Sequence, residues 1–371
     1  MGIESPGFDE VMMRRCLELA TRAWGKTAPN PLVGCVIVRD GEIVGEGFHP
    51  QAGEPHAEVF ALRDAGDRAS GATLYVNLEP CSHYGRTPPC AEAVIAAGIR
   101  RVVVGMVDPN PLVAGRGLAL LQAAGIEVTV GVEAAACQAV NEAFAYRIVH
   151  QRPWGILKYA MTLDGKIAAT TGHSAWVTGT AARAWVHHLR AGCGAVVVGG
   201  NTVRRDNPLL TSRRADVTPL RVVMSRSLDL PATAHLWDTA IAPTLVFTQP
   251  GQNPNLQTQL QQRGVEVIEL DPLTPAQVMQ QLGDRGCLSV LWECGGTLAA
   301  QALQDGSVQK VLAFIAPKII GGVAAPSPVG DLGLTAMTAA YPLERVTWQA
   351  VGTDLLVQGY VTHVPNSSPA G

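Results

Sequence analysis

The stretch from Pro55 to Cys90 limits what this chain can fold into more than any other. It holds Pro55-His56-Ala57-Glu58, then Glu79-Pro80-Cys81, then Thr87-Pro88-Pro89-Cys90. One imidazole and two thiols, with a carboxylate two residues after the imidazole, are the parts of a zinc site that activates water. To use them, the fold must bring three separated positions together. Pro55 precedes a helical run over residues 56–65, so His56 falls at a helix start, where a missing N–H costs little. Residues 73–78 read as a short buried strand that delivers Cys81 at its end. Pro88-Pro89 opens a second helix over residues 90–97, with Cys90 at its start. Helix N-termini favour thiolates and bound anions. Three protein ligands leave a fourth position open, which marks a catalytic zinc site rather than a closed structural one. Glu58 is too close in sequence to His56 to be a natural second ligand, and its better role is proton shuttle.

The rest of the first half supplies a sheet for these ends. An amphipathic helix is expected over residues 8–24, stopped by Pro29-Asn30-Pro31. Residues 32–38 and 42–48 flank Asp40-Gly41 and predict a hairpin. Strands over 102–107 and 126–130 alternate with helices over 116–124 and 133–147. A hairpin followed by alternating helix and strand predicts a mixed α/β sheet covered on both faces.

A chain of 371 residues suggests two domains or three. Hydrophobic residues make up 47% and charged residues 16%, enough for a core in each half. The net charge of −3 and the lack of a basic tract argue against a nucleic-acid track. Eight cysteines are too sparse for a disulfide framework. Cys16, Cys35, Cys137, Cys193, Cys287 and Cys294 read as small buried hydrophobes. No apolar run is long enough to span a membrane and no signal peptide is evident, so a cytoplasmic protein is expected. The tail over 366–371 is expected to be disordered.

The domain boundary falls near Pro153, giving domains over 1–150 and 151–365. The second half opens with a strand over 154–161, a turn over 162–166 and an extension at Ile167-Ala168. Further strands are expected over 195–198, 220–224, 244–247, 265–270, 288–292 and 311–315, with helices over 180–191, 275–282 and 298–303. A hairpin over 345–351 and 354–361 closes the chain. This pattern predicts a largely parallel sheet with an antiparallel end. Gly295-Gly296-Thr297 lies between a strand and a helix, where a backbone can approach a phosphate. Gly199-Gly200 followed by Thr202 is a second turn of this kind. Together they suggest an extended phosphate-bearing ligand such as a dinucleotide.

The order His-Ala-Glu, Pro-Cys, Cys is the zinc-deaminase arrangement. Eight residues separate Cys81 from Cys90, where most nucleobase deaminases have two. That longer loop, Ser82-His83-Tyr84-Gly85-Arg86-Thr87-Pro88-Pro89, together with Pro29-Asn30-Pro31-Leu32-Val33-Gly34, Gly47-Phe48-His49-Pro50 and Asp108-Pro109-Asn110-Pro111, resembles the deaminase half of the bifunctional riboflavin-biosynthesis deaminase/reductases. Lys158-Tyr159-Ala160-Met161-Thr162-Leu163-Asp164-Gly165-Lys166, Ser174-Ala175-Trp176-Val177-Thr178-Gly179, Asp206-Asn207-Pro208-Leu209-Leu210-Thr211 and Pro317-Lys318-Ile319-Ile320-Gly321-Gly322 resemble its reductase half.

The resemblance implies a cytidine-deaminase-like mixed-sheet domain followed by a dihydrofolate-reductase-like α/β domain. It implies zinc on His56, Cys81 and Cys90, with Glu58 as acid and base. Asn30, His49, His83 and Arg86 would line the site of the pyrimidine and its ribose phosphate. NADPH would be contacted by Ala160, Trp176, Thr202, Asp206 and the segment Gly295, Gly296, Thr297, Leu298, Ala299, Ala300 and Gln301. Ser174, Arg190, Leu210, Arg213 and Glu293 would hold the reductase substrate. Lys158 and Asp206 are the candidates for its acid. Arg204-Arg205 stands where the family has a small or apolar pair. The partner implied is a phosphorylated pyrimidine, with no nucleic acid and no membrane, and a homo-oligomer is left open. A deaminase with an inactive reductase-like half and an RNA-modifying deaminase with a binding module are the alternatives.

Overall fold

Short β-branched runs such as Val36-Ile37-Val38 and Val102-Val103-Val104 can be buried on both faces only if helices cover both sides, and they are. The structure, a computed structural model, describes residues 7–362 apart from 83, 85–88, 112 and 215. The chain forms two units that meet between Gln151 and Arg152. His83, Arg86 and the tail over 366–371 lie outside the described residues.

The first unit runs α1 (Phe8–Thr21), β1 (Gly34–Arg39), β2 (Glu42–Phe48), α2 (Ala57–Ala65), β3 (Thr73–Leu78), α3 (Cys90–Ala96), β4 (Arg101–Met106), α4 (Arg116–Ala123), β5 (Glu127–Val130), α5 (Ala134–Val140) and α6 (Glu142–His150). Its sheet has the order β2-β1-β3-β4-β5. The hairpin β1–β2 and the pair β1–β3 are antiparallel, and β3–β4–β5 are parallel. Ala57, Ala61 and Ala65 of α2, Ala91 and Val94 of α3 and Leu121 of α4 pack on one face with Cys35 and Ile37. Met12, Met13, Cys16 and Leu19 of α1 and Cys137 of α5 pack on the other with Val36 and Val103.

Small residues set how closely α2 lies on the hairpin. A Cβ at Gly45 or Gly47 would come within 2.4 Å of the carbonyl of Ala61 or Ala57. Only hydrogen fits there, so α2 sits directly on β2 and its start is fixed against the sheet.

The single helix expected over 133–147 is broken in two at Asn141, whose φ of −111° and ψ of 18° leave the helical region. The reason is tertiary. The Asn141 side chain is drawn onto the backbone of Leu32, a partner no local pattern reveals.

The second unit runs β6 (Trp154–Thr162), α7 (Thr180–Gly192), β7 (Ala195–Gly199), α8 (Gly200–Asp206), β8 (Leu220–Met224), β9 (Thr244–Thr248), α9 (Pro254–Gln262), β10 (Glu266–Glu269), α10 (Pro275–Asp284), β11 (Ser289–Trp292), α11 (Gly296–Gln304), β12 (Lys310–Ala316), β13 (Leu343–Val351) and β14 (Asp354–Val361). The sheet order is β10-β9-β8-β7-β11-β6-β12-β14-β13. Every pair from β10 to β12 is parallel, and β12–β14 and β14–β13 are antiparallel. The core gathers Leu157, Val197, Val222, Phe247, Leu282 and Trp292.

Three elements depart from expectation. The turn after β7 opens directly into the short helix α8. Helix α9 is additional, although Asn253 caps it by accepting the Leu256 N–H and Pro254 stands in its first turn, the usual start signal. Ile167 and Ala168 form no strand. The chain turns back at Thr162, which accepts the Lys166 N–H, and the Ile167 N–H then goes to the Pro326 carbonyl.

Candidate active sites

In the first unit, three element ends meet as the local pattern requires. His56 is the N-cap of α2, Cys90 is the first residue of α3, and Cys81 follows β3. Their ligand atoms all lie within 4.8 Å of one another. His56 Nδ1 is 3.2 Å from Cys90 Sγ and 3.6 Å from Cys81 Sγ, and the Cys90 amide donates to Cys81 Sγ at 3.2 Å. The hydrogen-bonded Cys90 thiol, then His56, draws Cys81 down to about 4, while Cys81 in turn pushes the Cys90 thiol up. The Cys81 hydrogen bond raises His56. These groups share protons that a cation would displace. One ring nitrogen and two sulfurs, so spaced, fit a zinc ion with one position left open.

Glu58 stands in the first turn of α2 and is 3% exposed. Its Oε2 has no hydrogen-bond partner among the described residues. Burial, with the nearby Cys81, pushes its carboxyl up to about 7. An acid that titrates near neutrality can both take and return a proton.

Asn30 and His49 stand beside this cluster. Asn30 Nδ2 donates to His49 Nε2 at 3.0 Å, and His49 Nδ1 donates to the Pro55 carbonyl at 3.0 Å. Those two partners fix the tautomer of His49. Burial lowers its pKa, which keeps the ring neutral. The His49 and His56 rings meet edge to face at 5.5 Å.

Glu79 carries a role that sequence reasoning missed. It is 5% exposed, and its carboxylate accepts the amides of Asp108, Gly115, Gly117 and Leu118 at 2.9 to 3.4 Å. It fastens the loop after β4 against the strand end that presents Cys81. Its place in Glu79-Pro80-Cys81 was the available signal.

In the second unit, a cavity of about 910 Å³ lies along the C-terminal ends of β6, β7, β8 and β11, where open parallel sheets bind ligands. Of the residues expected to meet the cofactor, Ala160, Trp176, Thr202, Asp206, Gly295, Gly296, Thr297, Leu298 and Gln301 line it. Ala299 and Ala300 do not; they are buried on the core side of α11. Ser174, Arg190, Leu210 and Glu293 line it as well, whereas Arg213 is exposed and outside the lining. The size of the cavity, the amide-rich start of α11 and the basic residues on the wall fit a dinucleotide phosphate.

A charge cluster forms one end. Arg190 donates to both oxygens of Glu293, at 2.6 and 3.0 Å, and Lys158 Nζ lies 3.3 Å from Oε2. Burial alone would raise Glu293; Arg190 and Lys158 outweigh it and hold the carboxyl at about 2. Trp176 is 69% exposed and lies under the guanidinium of Arg183, 4.4 Å from the ring centre. The Ser174 hydroxyl donates to Asp206 at 2.8 Å. Arg204 and Arg205 both line the cavity; Arg204 donates to the Asp229 carbonyl at 2.6 Å, and the Arg205 guanidinium lies against Gly172, where a Cβ would come within 1.8 Å of it. Arg183 and the stretch Ser225-Arg226-Ser227 after β8 are cavity residues the sequence reading missed.

Two family models match the chain. The cytidine and deoxycytidylate deaminase zinc-binding region matches residues 6–106, and the RibD C-terminal domain matches residues 153–357. A riboflavin biosynthesis protein RibD from Synechocystis is 64% identical over 354 residues, covering 95% of this chain and 96% of that one. RibD from Escherichia coli is 43% identical over 325 residues, covering 84% and 89%. Among solved structures, Acinetobacter baumannii RibD superposes with a TM-score of 0.84 at 39% identity, covering 96% and 99%. A diaminohydroxyphosphoribosylaminopyrimidine deaminase/5-amino-6-(5-phosphoribosylamino)uracil reductase from Thermotoga maritima gives 0.83 at 35%, covering 95% and 99%.

Proposed function

Because the chain belongs to the RibD family of bifunctional riboflavin-biosynthesis enzymes, we propose that its two sites perform consecutive steps on one phosphorylated pyrimidine. The first domain, residues 1–150, deaminates 2,5-diamino-6-(5-phosphoribosylamino)pyrimidin-4(3H)-one. The second, residues 151–365, reduces the ribosyl group of the product to ribityl with NADPH. With no membrane-crossing helix among the described residues, we place the enzyme in the cytoplasm.

The observation that carries the first assignment is Glu58, buried beside the cluster of His56, Cys81 and Cys90 with its Oε2 unpartnered among the described residues. Those three residues would hold zinc, which when bound is a Lewis acid that makes water a nucleophile at neutral pH. Glu58 accepts a proton from the attacking water and returns it to the departing amine. Water adds its oxygen to the ring carbon, the exocyclic amine leaves as ammonia, and a carbonyl remains. Asn30 and His49 form the wall that receives the pyrimidine, and His83 and Arg86 are assigned to the same substrate.

In the second site the turn at Gly295-Gly296-Thr297 and residues Ala160, Trp176, Thr202 and Asp206 would hold NADPH, which when bound supplies hydride for the sugar C1′ of an open-chain imine. Arg190 spends three of its five N–H donors on Glu293 and the Thr211 carbonyl among the described residues, leaving the others for a substrate phosphate. Lys158, a donor held by Glu293, is better placed to give a proton than Asp206, whose carboxylate accepts the Ser174 hydroxyl. The purified chain, given the phosphorylated diaminopyrimidine and NADPH, is expected to release ammonia and oxidise NADPH without any added enzyme. NADPH consumption that needs a separate reductase would sink the bifunctional reading.

A further inference from the structure

The segment Pro29-Asn30-Pro31-Leu32-Val33 carries Asn30 into the deaminase site, yet little in it can be held by a sheet. Two of its five residues are prolines and lack an N–H. Strand β1 begins only at Gly34. Two buried asparagines from distant elements take over where the ladder stops.

Asn141, at the break between α5 and α6, accepts the Leu32 N–H at 2.8 Å and donates to the Leu32 carbonyl at 2.9 Å. One side-chain amide thus pairs with both polar groups of one residue, as a neighbouring strand would. Asn77, the fifth residue of β3, donates to the same carbonyl at 2.9 Å and accepts the Gly34 N–H at 2.8 Å. The antiparallel register that pairs Cys35 with Val76 would next place Gly34 opposite Asn77. There a side chain replaces the backbone in the ladder. Both asparagines are buried, at 0% and 2% exposure, and every polar atom of their amides is used.

The bonds continue into the site. The Val33 carbonyl accepts the His49 N–H at 3.0 Å, Asn30 donates to the His49 ring, and the His49 ring donates to Pro55, next to His56. We infer that Asn141, acting with Asn77, is a positioning residue for deamination: it sets where Asn30 and His49 stand against the zinc ligands. This rests on the assignment of Asn30 and His49 to the pyrimidine wall. A fully bonded buried network specifies one geometry, and a misplacement of about 1 Å can cost on the order of 10²-fold in rate.

The test uses the full-length protein and four variants: Asn141→Leu, Asn141→Asp, Asn30→Ala and the Asn30→Ala/Asn141→Leu double. Ammonia release, zinc content and NADPH oxidation on the already deaminated pyrimidine are measured for each. Asn141→Leu is expected to lower kcat/KM for deamination by on the order of 10²-fold, with full zinc content and unchanged NADPH oxidation. Asn141→Asp keeps an acceptor for the Leu32 N–H and loses less. Adding Asn141→Leu to Asn30→Ala costs clearly less than the product of the two single losses, because Asn30 is one of the two residues through which Asn141 acts. The inference is overturned if Asn141→Leu deaminates normally, if its loss follows loss of zinc, or if the two losses multiply. Should Asn141→Leu fail to fold, Asn141→Asp decides by the same measurements. An Asn30→Ala variant with normal deamination would instead bring down the wall assignment, and this role with it.

Discussion

In the first unit the groups proposed to react are side chains fixed at element ends, His56 and Cys90 on helix starts and Cys81 after a strand. In the second, the cavity wall is shared among strand ends, helices and loops, with one buried charge cluster at Glu293. The two sites divide chemistry between protein and cofactor differently. Hydrolysis needs ligands and a proton shuttle, so it demands four particular side chains. Hydride transfer takes its reactive atom from the cofactor, and the protein supplies shape, charge and orientation. The first arrangement concentrates function in single residues; the second spreads it.

The largest expected effect tests that concentration. Glu58→Gln should lower deamination by on the order of 10²–10⁴-fold, while zinc content and NADPH oxidation on the deaminated pyrimidine stay unchanged. If Glu293→Gln proved as damaging to reduction as Glu58→Gln to deamination, the comparison would break. Glu293→Ala should instead act first on stability. It leaves Arg190 and Lys158 buried without their carboxylate, which costs about 3–5 kcal/mol, measured as urea unfolding of the second unit.

The same carboxylate predicts a pH dependence. Its folded pKa of about 2 lies below the ordinary 4.5. A depressed acid binds protons less tightly when folded, so its contribution is complete above pH 4.5 and is lost as pH falls toward 2. Acid unfolding of Glu293→Gln should therefore be flatter than wild type across that window. Trp176→Ala removes the exposed stack on Arg183 and should raise KM for NADPH by about two- to fivefold, the worth of an exposed cation–π contact. Arg204→Leu should change deamination by less than about twofold, since the residue lines the cavity of the second unit and pairs there with Asp229 at the surface.

What could be read from the chain follows the same division. Residue type and helix-start chemistry single out His56, Glu58, Cys81 and Cys90 in the sequence, because few arrangements use those groups in that order. The alternation of elements gave both sheets, including the antiparallel end of the second. The reductase wall was less legible. A helix shows one side to a cavity, so Leu298 and Gln301 reach it from α11 while Ala299 and Ala300 turn inward, a distinction the helical period already contains. Arg183 and Arg226 were missed because a lone arginine on a helix or loop has no pattern of its own. Glu79 and Asn141 were missed for a different reason. Their partners are backbone groups far along the chain, and side-chain bonds to remote amides leave no periodic trace.

Leu32 and Asn141 lie 109 residues apart. A ribosome that has released every zinc ligand and Glu58 still has Asn141 to make. The nascent chain thus carries every group proposed to react before the residue that completes the hydrogen bonding of Leu32 is made.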